Sequence, residues 1–137
     1  MAARSFLDTN VLLYTDDRDA GVKQLRAVDV VEEHLAGSTG AVSTQVLQEY
    51  FASATRKLEV DPVDARRKVE LFARLGVVTI EVDDVLGAID LHRLHRFSFW
   101  DALIVRAAKK AGCTTLLTED LQHGRTVDGL RIVNPFR

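Results

Sequence analysis

The feature that most constrains the fold of this chain is the alternation of short apolar runs with longer helical stretches. In the longer stretches, apolar residues recur at spacings of three and four, which is typical of amphipathic helices. The predicted strands are SFL at 5–7, GAVS at 40–43, VVTI at 77–80, TTLLT at 114–118 and RIV at 131–133. The predicted helices cover 22–37, 45–58, 64–76, 85–97 and 101–112. This order predicts an α/β fold: a three-layer α/β/α arrangement with a mainly parallel sheet of four or five strands.

Glycine and proline support several of these boundaries. Gly37, Gly76 and Gly112 are placed to follow helix ends, where a left-handed backbone is common. Pro62 follows Asp61 and can occupy the first turn of a helix, and Pro135 can end the last strand.

Length and composition point to one soluble domain covering residues 1–137. The single cysteine, Cys113, cannot form an internal disulfide, which favours a reducing cytoplasm. We identify no signal peptide and no apolar run of membrane-spanning length, so no membrane partner is expected. The formal net charge of −2 neither requires nor excludes a polyanionic partner such as RNA.

Carboxylates recur at one side of the predicted sheet. Asp8 follows the first strand and Asp120 follows TTLLT, while Glu49 lies in the helix after GAVS. Asp101 opens the helix that leads into TTLLT. Ligands of open parallel sheets bind outside the carboxyl ends of the strands, so we expect these four side chains to converge there.

Each carboxylate taken alone also has a purely local explanation. Asp8 can cap the helix that begins near Asn10, and Ser98 can cap a helix whose first turn contains Asp101. Glu49 borders the apolar stripe of its helix and can simply be solvated. The functional interpretation therefore depends on the four acidic residues being close together.

Four ionised carboxylates in one site would repel strongly. At about 5 Å and an effective dielectric near 20, each close pair costs roughly 3 kcal/mol. Such groups either take up protons or bind a cation, and an oxygen-only donor set favours Mg²⁺ or Mn²⁺. These ions assist attack of water on phosphodiesters, so the pattern indicates a metal-dependent phosphoesterase site.

The ordered set of motifs resembles the PIN-domain ribonucleases, and most closely the VapC toxins of VapBC toxin–antitoxin pairs. The resemblance is carried by FLDTNVLLY, QEYF, FSFWDALIVRAA and LLTEDLQHG, with DGLRIVNPF similar to the terminal strand of many such toxins. It extends from Ser5 to Phe136, although 56–96 matches by helical character alone, which leaves substrate choice open.

The resemblance implies that Asp8, Glu49, Asp101 and Asp120 are the metal ligands, with Asn10 and Thr118 as supporting polar residues. It also implies RNA cleavage with Mg²⁺ or Mn²⁺, a homodimer, and inhibition by a small cognate antitoxin.

Three other functions compete with this interpretation. A haloacid-dehalogenase-like phosphatase needs a second acid two positions after Asp8, where this chain has Asn10. A receiver domain needs a lysine after the last strand, and RIVNPFR contains none. A non-catalytic RNA-binding relative is opposed by the complete set of four carboxylates.

Several further residues have a structural interpretation that we prefer. His92 and His95 have a metal-compatible spacing but no third ligand, and His123 is expected in a surface loop. Glu119 is expected to face solvent. Trp100, like Phe97 and Phe99, is expected in the core or in a dimer contact.

Overall fold

The computed structural model describes residues 3–137, which form six strands and six α-helices. The strands are β1 Ser5–Leu7, β2 Gly40–Ser43, β3 Val77–Val78, β4 Thr115–Leu117, β5 Thr126–Val127 and β6 Leu130–Val133. The helices are α1 Thr9–Tyr14, α2 Val22–Gly37, α3 Thr44–Lys57, α4 Pro62–Ala73, α5 Val82–His95 and α6 Phe99–Lys110, and Arg18–Ala20 form a short 3₁₀ turn.

Polar side chains define where most of these helices begin. Ser43 accepts a hydrogen bond from the Val46 amide at the start of α3, and Ser98 accepts one from the Asp101 amide at the start of α6. Asp61 caps α4 in the same way, with Pro62 in the first turn as predicted. Each cap satisfies an amide that has no partner inside its helix.

The strands form one sheet in the order β3-β2-β1-β4-β6-β5. The neighbouring pairs among β1, β2, β3, β4 and β6 are parallel, and β5 pairs antiparallel with β6. Because parallel crossovers are right-handed, the connections from β1 to β3 and from β3 to β4, which run in opposite directions along the sheet, lie on opposite faces. Helices α1–α4 therefore cover one face and α5 and α6 the other, which confirms the predicted α/β architecture.

The sheet has one strand more than predicted. Strand β5 reaches β6 through a two-residue turn, Asp128 and Gly129, both with positive φ (49° and 85°). Asp-Gly is a strong signal for this type of hairpin turn, because its first residue tolerates and its second favours a left-handed backbone. A two-residue strand is too short to be found from hydrophobic alternation.

Two of the three glycines predicted to follow a helix end do not lie at the predicted position. Gly37 is the last residue of α2, and Ser38 takes the left-handed conformation after it, with φ 54°. Helix α4 ends at Ala73, so Gly76 lies beyond the helix end, although it does have a positive φ of 109°. Gly112 follows the C-cap of α6 with φ 72°, as predicted.

The core lies between the sheet and its two helical layers. Its strand residues are fully or almost fully buried, among them Phe6, Leu7, Ala41, Val42, Leu116 and Ile132. Parallel strands covered on both faces read as continuous apolar runs, which explains why these segments could be recognised from the sequence. In the described part of the chain, none of the helices combines the length and the apolar character needed to cross a membrane.

Candidate active site

The carboxyl ends of β1 and β4 form the point at which the sheet changes direction. The two strands are direct neighbours, yet the chain continues from β1 toward β2 on one side and from β4 toward β6 on the other. The loops that follow such strands diverge and leave a crevice between them, which is the usual ligand site of open α/β sheets. Asp8 follows β1 and Thr118 follows β4, so both lie at this crevice.

Asp8 is buried between the end of β1 and the start of α1. Its Oδ1 accepts a hydrogen bond of 2.7 Å from the Thr9 amide, and its Oδ2 accepts one of 2.8 Å from Thr118 Oγ1. The side chain is the N-cap of α1, so the local interpretation of Asp8 is confirmed. Capping uses Oδ1 and leaves Oδ2 directed to Thr118, across the gap between β1 and β4.

Asn10 and Thr118 connect Asp8 to Asp120. Asn10 Nδ2 donates to Thr118 Oγ1 at 3.2 Å and to Asp120 Oδ2 at 3.0 Å. The Asp120 amide donates to Thr118 Oγ1 at 3.1 Å, and the Glu119 amide donates to Asn10 Oδ1 at 3.3 Å. The two predicted supporting residues therefore hold the loop after β4 against the start of α1.

Glu49 and Asp101 reach the crevice from two different helices. Glu49 lies in α3, and its Oε1 accepts a hydrogen bond of 2.7 Å from Gln45 Nε2, one turn earlier. Asp101 lies in the first turn of α6, where its amide is capped by Ser98 at 3.1 Å. Gln45 Nε2 also makes a longer contact of 3.5 Å with the carbonyl of Trp100, the residue before Asp101.

Four carboxylates lie near one another at the crevice, and we call them the acidic cluster (Asp8, Glu49, Asp101 and Asp120). Burial, opposed by the Thr118 and Thr9 hydrogen bonds and reinforced by the charges of Asp120 and Glu49, raises the pKa of Asp8 to about 7. Partial desolvation, followed by neighbouring carboxylates, raises the pKa of Glu49 and of Asp101 as well. Because like charges in one site disfavour full ionisation, a bound cation would stabilise the ionised carboxylates.

The donor chemistry of the acidic cluster fits a hard divalent cation. The cluster offers carboxylate oxygens, and within residues 3–137 none of its four members forms a salt bridge with a lysine, arginine or histidine. Among the described residues no three His, Cys, Asp or Glu side chains form a ready-made metal-binding group. Mg²⁺ commonly takes one or two carboxylates and keeps several waters, so it does not require three protein ligands in one ready-made group.

Glu119 has a structural role and does not belong to the acidic cluster. Its Oε2 lies 2.5 Å from Lys23 Nζ, and its Oε1 accepts a hydrogen bond of 2.6 Å from the Tyr14 hydroxyl. Burial tends to raise the pKa of Glu119, but the hydrogen bonds from Lys23 and Tyr14 outweigh it and lower the pKa. Glu119 is half-buried, so the prediction that it faces solvent is wrong.

His92 and His123 form hydrogen bonds with the backbone. His92 Nδ1 donates to the Phe97 carbonyl at 2.5 Å, and His123 Nδ1 accepts from the Asn134 amide at 3.0 Å. The ring of His95 lies 5.8 Å from that of Phe97. His95 Nε2 is buried and has no hydrogen-bond partner among the described residues.

The three aromatic residues before Asp101 differ in burial. Phe97 is in the core and Phe99 packs against it, as predicted. Trp100 is 64% exposed, so it does not lie in the core, and the dimer contact that was the other expectation for it stays a prediction. Trp100 is the second residue of α6, and the two residues that follow are less exposed: Asp101 is half-buried and Ala102 is fully buried.

Sequence reasoning missed Gln45, which contacts Glu49 and the start of α6. The signal was available, because Gln45 and Glu49 have the i, i+4 spacing at which side chains meet on a helix surface. Lys23 and Tyr14 were also missed as partners of Glu119. Lys23 and Glu119 are separated by 96 residues, and local sequence patterns carry no information about such a pair.

The fold and the crevice define an α/β domain with an acidic site at the switch point of a parallel sheet. The PIN domain family model matches residues 5–128, and the chain belongs to this family. No curated protein matches the sequence significantly.

Solved structures with the same fold include a toxin–antitoxin complex from Klebsiella pneumoniae, at 19% identity and a TM-score of 0.69, covering 96% of this chain and 97% of that chain. A DNA-bound VapBC from Salmonella typhimurium has 20% identity and a TM-score of 0.66, with the same coverages of 96% and 97%. The sarcin–ricin loop cleaving toxin VapC20 of Mycobacterium tuberculosis has 21% identity and a TM-score of 0.59, covering 85% of this chain and 91% of that chain. At these identities the similarity concerns the fold.

Proposed function

We propose that this PIN-domain protein is an endoribonuclease that depends on Mg²⁺ or Mn²⁺ and acts as the toxin of a type II toxin–antitoxin pair. The observation that carries the proposal is the acidic cluster: four carboxylates from four separate segments meet at the switch point without a basic partner among the described residues. Neighbouring acids without a basic partner, three of which (Asp8, Glu49 and Asp101) have a raised pKa, are typical of a functional site. The similar folds of VapBC proteins support the toxin assignment.

Each residue of the site has a distinct proposed task. Asp8, Glu49, Asp101 and Asp120 hold the cation, and Thr118 orients Asp8 through its 2.8 Å hydrogen bond. Asn10 orients Asp120 at 3.0 Å and keeps the two strand ends in register. When bound, Mg²⁺ or Mn²⁺ supplies a Lewis acid that polarises the phosphodiester and lowers the pKa of an attacking water. The protein needs no nucleophile of its own.

The test compares cleavage of total RNA by the wild-type protein and by Asp101→Asn, each with Mg²⁺ and with EDTA. Asparagine keeps the size of the side chain and the Ser98 cap, so the fold should persist while cleavage falls. Asp90→Asn, an exposed position on α5, is the matched control and should cleave normally. Cleavage that survives both Asp101→Asn and EDTA contradicts the proposal.

The structure gives little support to two of the competing functions, the phosphatase and the receiver domain. In a dehalogenase-like phosphatase, position 10 would have to exchange a proton, but the Asn10 amide is a fixed donor to Thr118 and Asp120. In a receiver domain, Glu49 and Asp101 would have no role. A non-catalytic RNA-binding protein predicts RNA binding without cleavage in the same experiment, which separates it from the proposed nuclease.

We propose two protein partners for this chain, a small antitoxin and a second copy of itself. The first is supported by the toxin–antitoxin complexes that share the fold. The second is supported by an exposed apolar stripe on α5, formed by Val82, Leu86 and Ile89 at helical spacing. Sedimentation of the wild type and of Leu86→Glu tests it: a dimer that becomes a monomer supports the stripe, and unchanged sedimentation contradicts it. The cytoplasmic location stays a prediction.

A further inference from the structure

Gln45 has a buried side-chain amide that lies beside the acidic cluster and contacts two of the helices that form it. It lies in the first turn of α3 and is only 7% exposed. Its Nε2 donates to Glu49 Oε1 at 2.7 Å and contacts the Trp100 carbonyl at 3.5 Å. One side chain thus touches a carboxylate of α3 and the backbone immediately before Asp101 in α6.

The orientation of the Gln45 amide follows from its two neighbours. Both Glu49 Oε1 and the Trp100 carbonyl oxygen are acceptors, so only the NH₂ group can face them. The reversed amide would place Oε1 against a carboxylate oxygen, which repels it. The amide nitrogen therefore acts as a bridge between the two helices that bring Glu49 and Asp101 to the crevice.

The oxygen of the Gln45 amide, unlike its nitrogen, is not hydrogen-bonded within the described residues. Gln45 Oε1 is buried and has no hydrogen-bond partner there. An unpaired buried acceptor costs roughly 1–3 kcal/mol, whereas methionine would fill a similar volume without this penalty. Packing alone therefore favours an apolar residue at position 45, and the donor contacts made by Nε2 supply a reason for an amide.

The position of the Glu49 carboxylate depends on Gln45, whereas Asp8 is held by other residues. Asp8 is buried and held by two hydrogen bonds, from Thr9 and from Thr118. The Glu49 side chain is exposed, and Gln45 is its hydrogen-bond donor. A free glutamate samples several rotamers, so fixing it before a cation arrives removes part of the entropy cost of binding.

We propose that Gln45 is a positioning residue, which holds the Glu49 carboxylate beside the start of α6 so that Glu49 and Asp101 bind one divalent cation together. This inference rests on the proposed function only in taking the acidic cluster as a cation site. Residues that orient metal ligands typically change metal affinity by 10–100-fold when they are replaced.

The experiment measures Mn²⁺ binding to the full chain by water-proton relaxation and by calorimetry, without RNA. Gln45→Met removes both donor contacts and keeps the volume, and the Mn²⁺ dissociation constant should rise about 10–100-fold. Gln48→Met, on the exposed side of the same helix, is the matched control and should bind Mn²⁺ like the wild type. Gln45→Asn, whose amide is too short to reach Glu49, should behave like Gln45→Met and replaces it if that variant does not fold.

A double-mutant comparison separates positioning from a general effect on the fold. Because Gln45 acts through Glu49, adding Gln45→Met to Glu49→Gln should change the dissociation constant by less than about twofold beyond Glu49→Gln alone. An equal loss in both backgrounds, or wild-type affinity in Gln45→Met, overturns the positioning role and leaves the proposed function standing. Wild-type protein that binds no Mn²⁺ overturns both, while Mn²⁺ binding without RNA cleavage overturns only the proposed function.

Discussion

Asp8 and Asp84 are both buried aspartates in helix-start positions, yet their surroundings are opposite. Asp84, which is 1% exposed, accepts hydrogen bonds from Lys110 Nζ at 2.7 Å, from the Glu81 amide at 2.9 Å and from Arg106 Nε at 3.1 Å. Asp8, which is 5% exposed, accepts from neutral groups and faces other carboxylates.

The ionisation of the two groups follows from this difference. Burial alone raises the pKa of a carboxyl group, and for Asp8 it dominates, giving a pKa of about 7. For Asp84 the hydrogen bonds from Lys110, Glu81 and Arg106 outweigh burial and lower the pKa to about 2. A buried acid with its own basic partners serves the fold, whereas one without them is available to a ligand.

The largest stability effect is expected at Asp84, whose charge is compensated by Lys110 and Arg106. Asp84→Ala leaves Lys110 and Arg106 without their buried partner and removes the bond to the Glu81 amide that completes a capping box. Breaking a fully buried pair costs about 3–5 kcal/mol, and since both basic residues are about one-third exposed we expect about 3 kcal/mol. Urea unfolding measures it, with Asp83→Ala, an exposed neighbour, as the control. A loss no larger than that of the control contradicts the structural role of Asp84.

The next largest effect is expected at the acidic cluster, where a bound cation should stabilise the folded protein. A ligand that binds only the folded state at 100 times its dissociation constant adds about 2.7 kcal/mol to the free energy of unfolding. Added Mg²⁺ or Mn²⁺ should raise the melting temperature of the wild type and of Asp84→Ala equally. Asp8→Asn should lose most of this shift. An equal shift in Asp8→Asn would mean that the cation binds elsewhere.

A somewhat smaller effect is expected in the metal-free protein, where the ionisation of Asp8 should make the free energy of unfolding depend on pH. Since the folded pKa of Asp8, about 7, exceeds the ordinary value of 3.8, its contribution to stability is largest below pH 3.8 and is lost as pH rises from there through 7. The difference of about three between the two pKa values sets a ceiling near 4 kcal/mol. We expect about 2 kcal/mol, because the effective dielectric constant is near 20 even at buried sites in proteins.

Asp8→Asn removes this loss, so the variant should be more stable than the wild type above pH 7 and similar to it near pH 4. Unfolding in EDTA across pH 4–8 measures the difference, with Asp29→Asn on the exposed face of α2 as the control. A difference that does not change with pH would show that burial does not disfavour the Asp8 charge.

The smallest effect is expected at a compensated pair that is not buried. Arg66 and Glu70 form an i, i+4 salt bridge on α4, with side chains 79% and 60% exposed. Pairs of this kind contribute about 0.3–0.5 kcal/mol and weaken in salt. Glu70→Gln should therefore lower the free energy of unfolding by less than about 0.5 kcal/mol. A loss as large as that of Asp84→Ala would mean that burial is not what separates the two pairs.

Much of the fold could be predicted because its signals are local. Buried parallel strands read as apolar runs, and Ser98 and Asp61 begin helices at the positions that their side chains favour. Strand β5 was missed because two residues carry no periodicity, although Asp128 and Gly129 marked the turn. Gln45 was missed because it lacks a charge, although its spacing from Glu49 was a usable signal.

The amino-acid sequence by itself determined the α/β alternation, the positions of Asp8 and Asp120 after their strands, and the resemblance to PIN-domain proteins. Only the tertiary structure decided which acids are compensated, since Asp84 finds Arg106 and Lys110 across 22 and 26 residues. The physical reason is that propensity and periodicity act between neighbours along the chain. Burial and charge compensation depend on which segments the packed sheet and helices bring together.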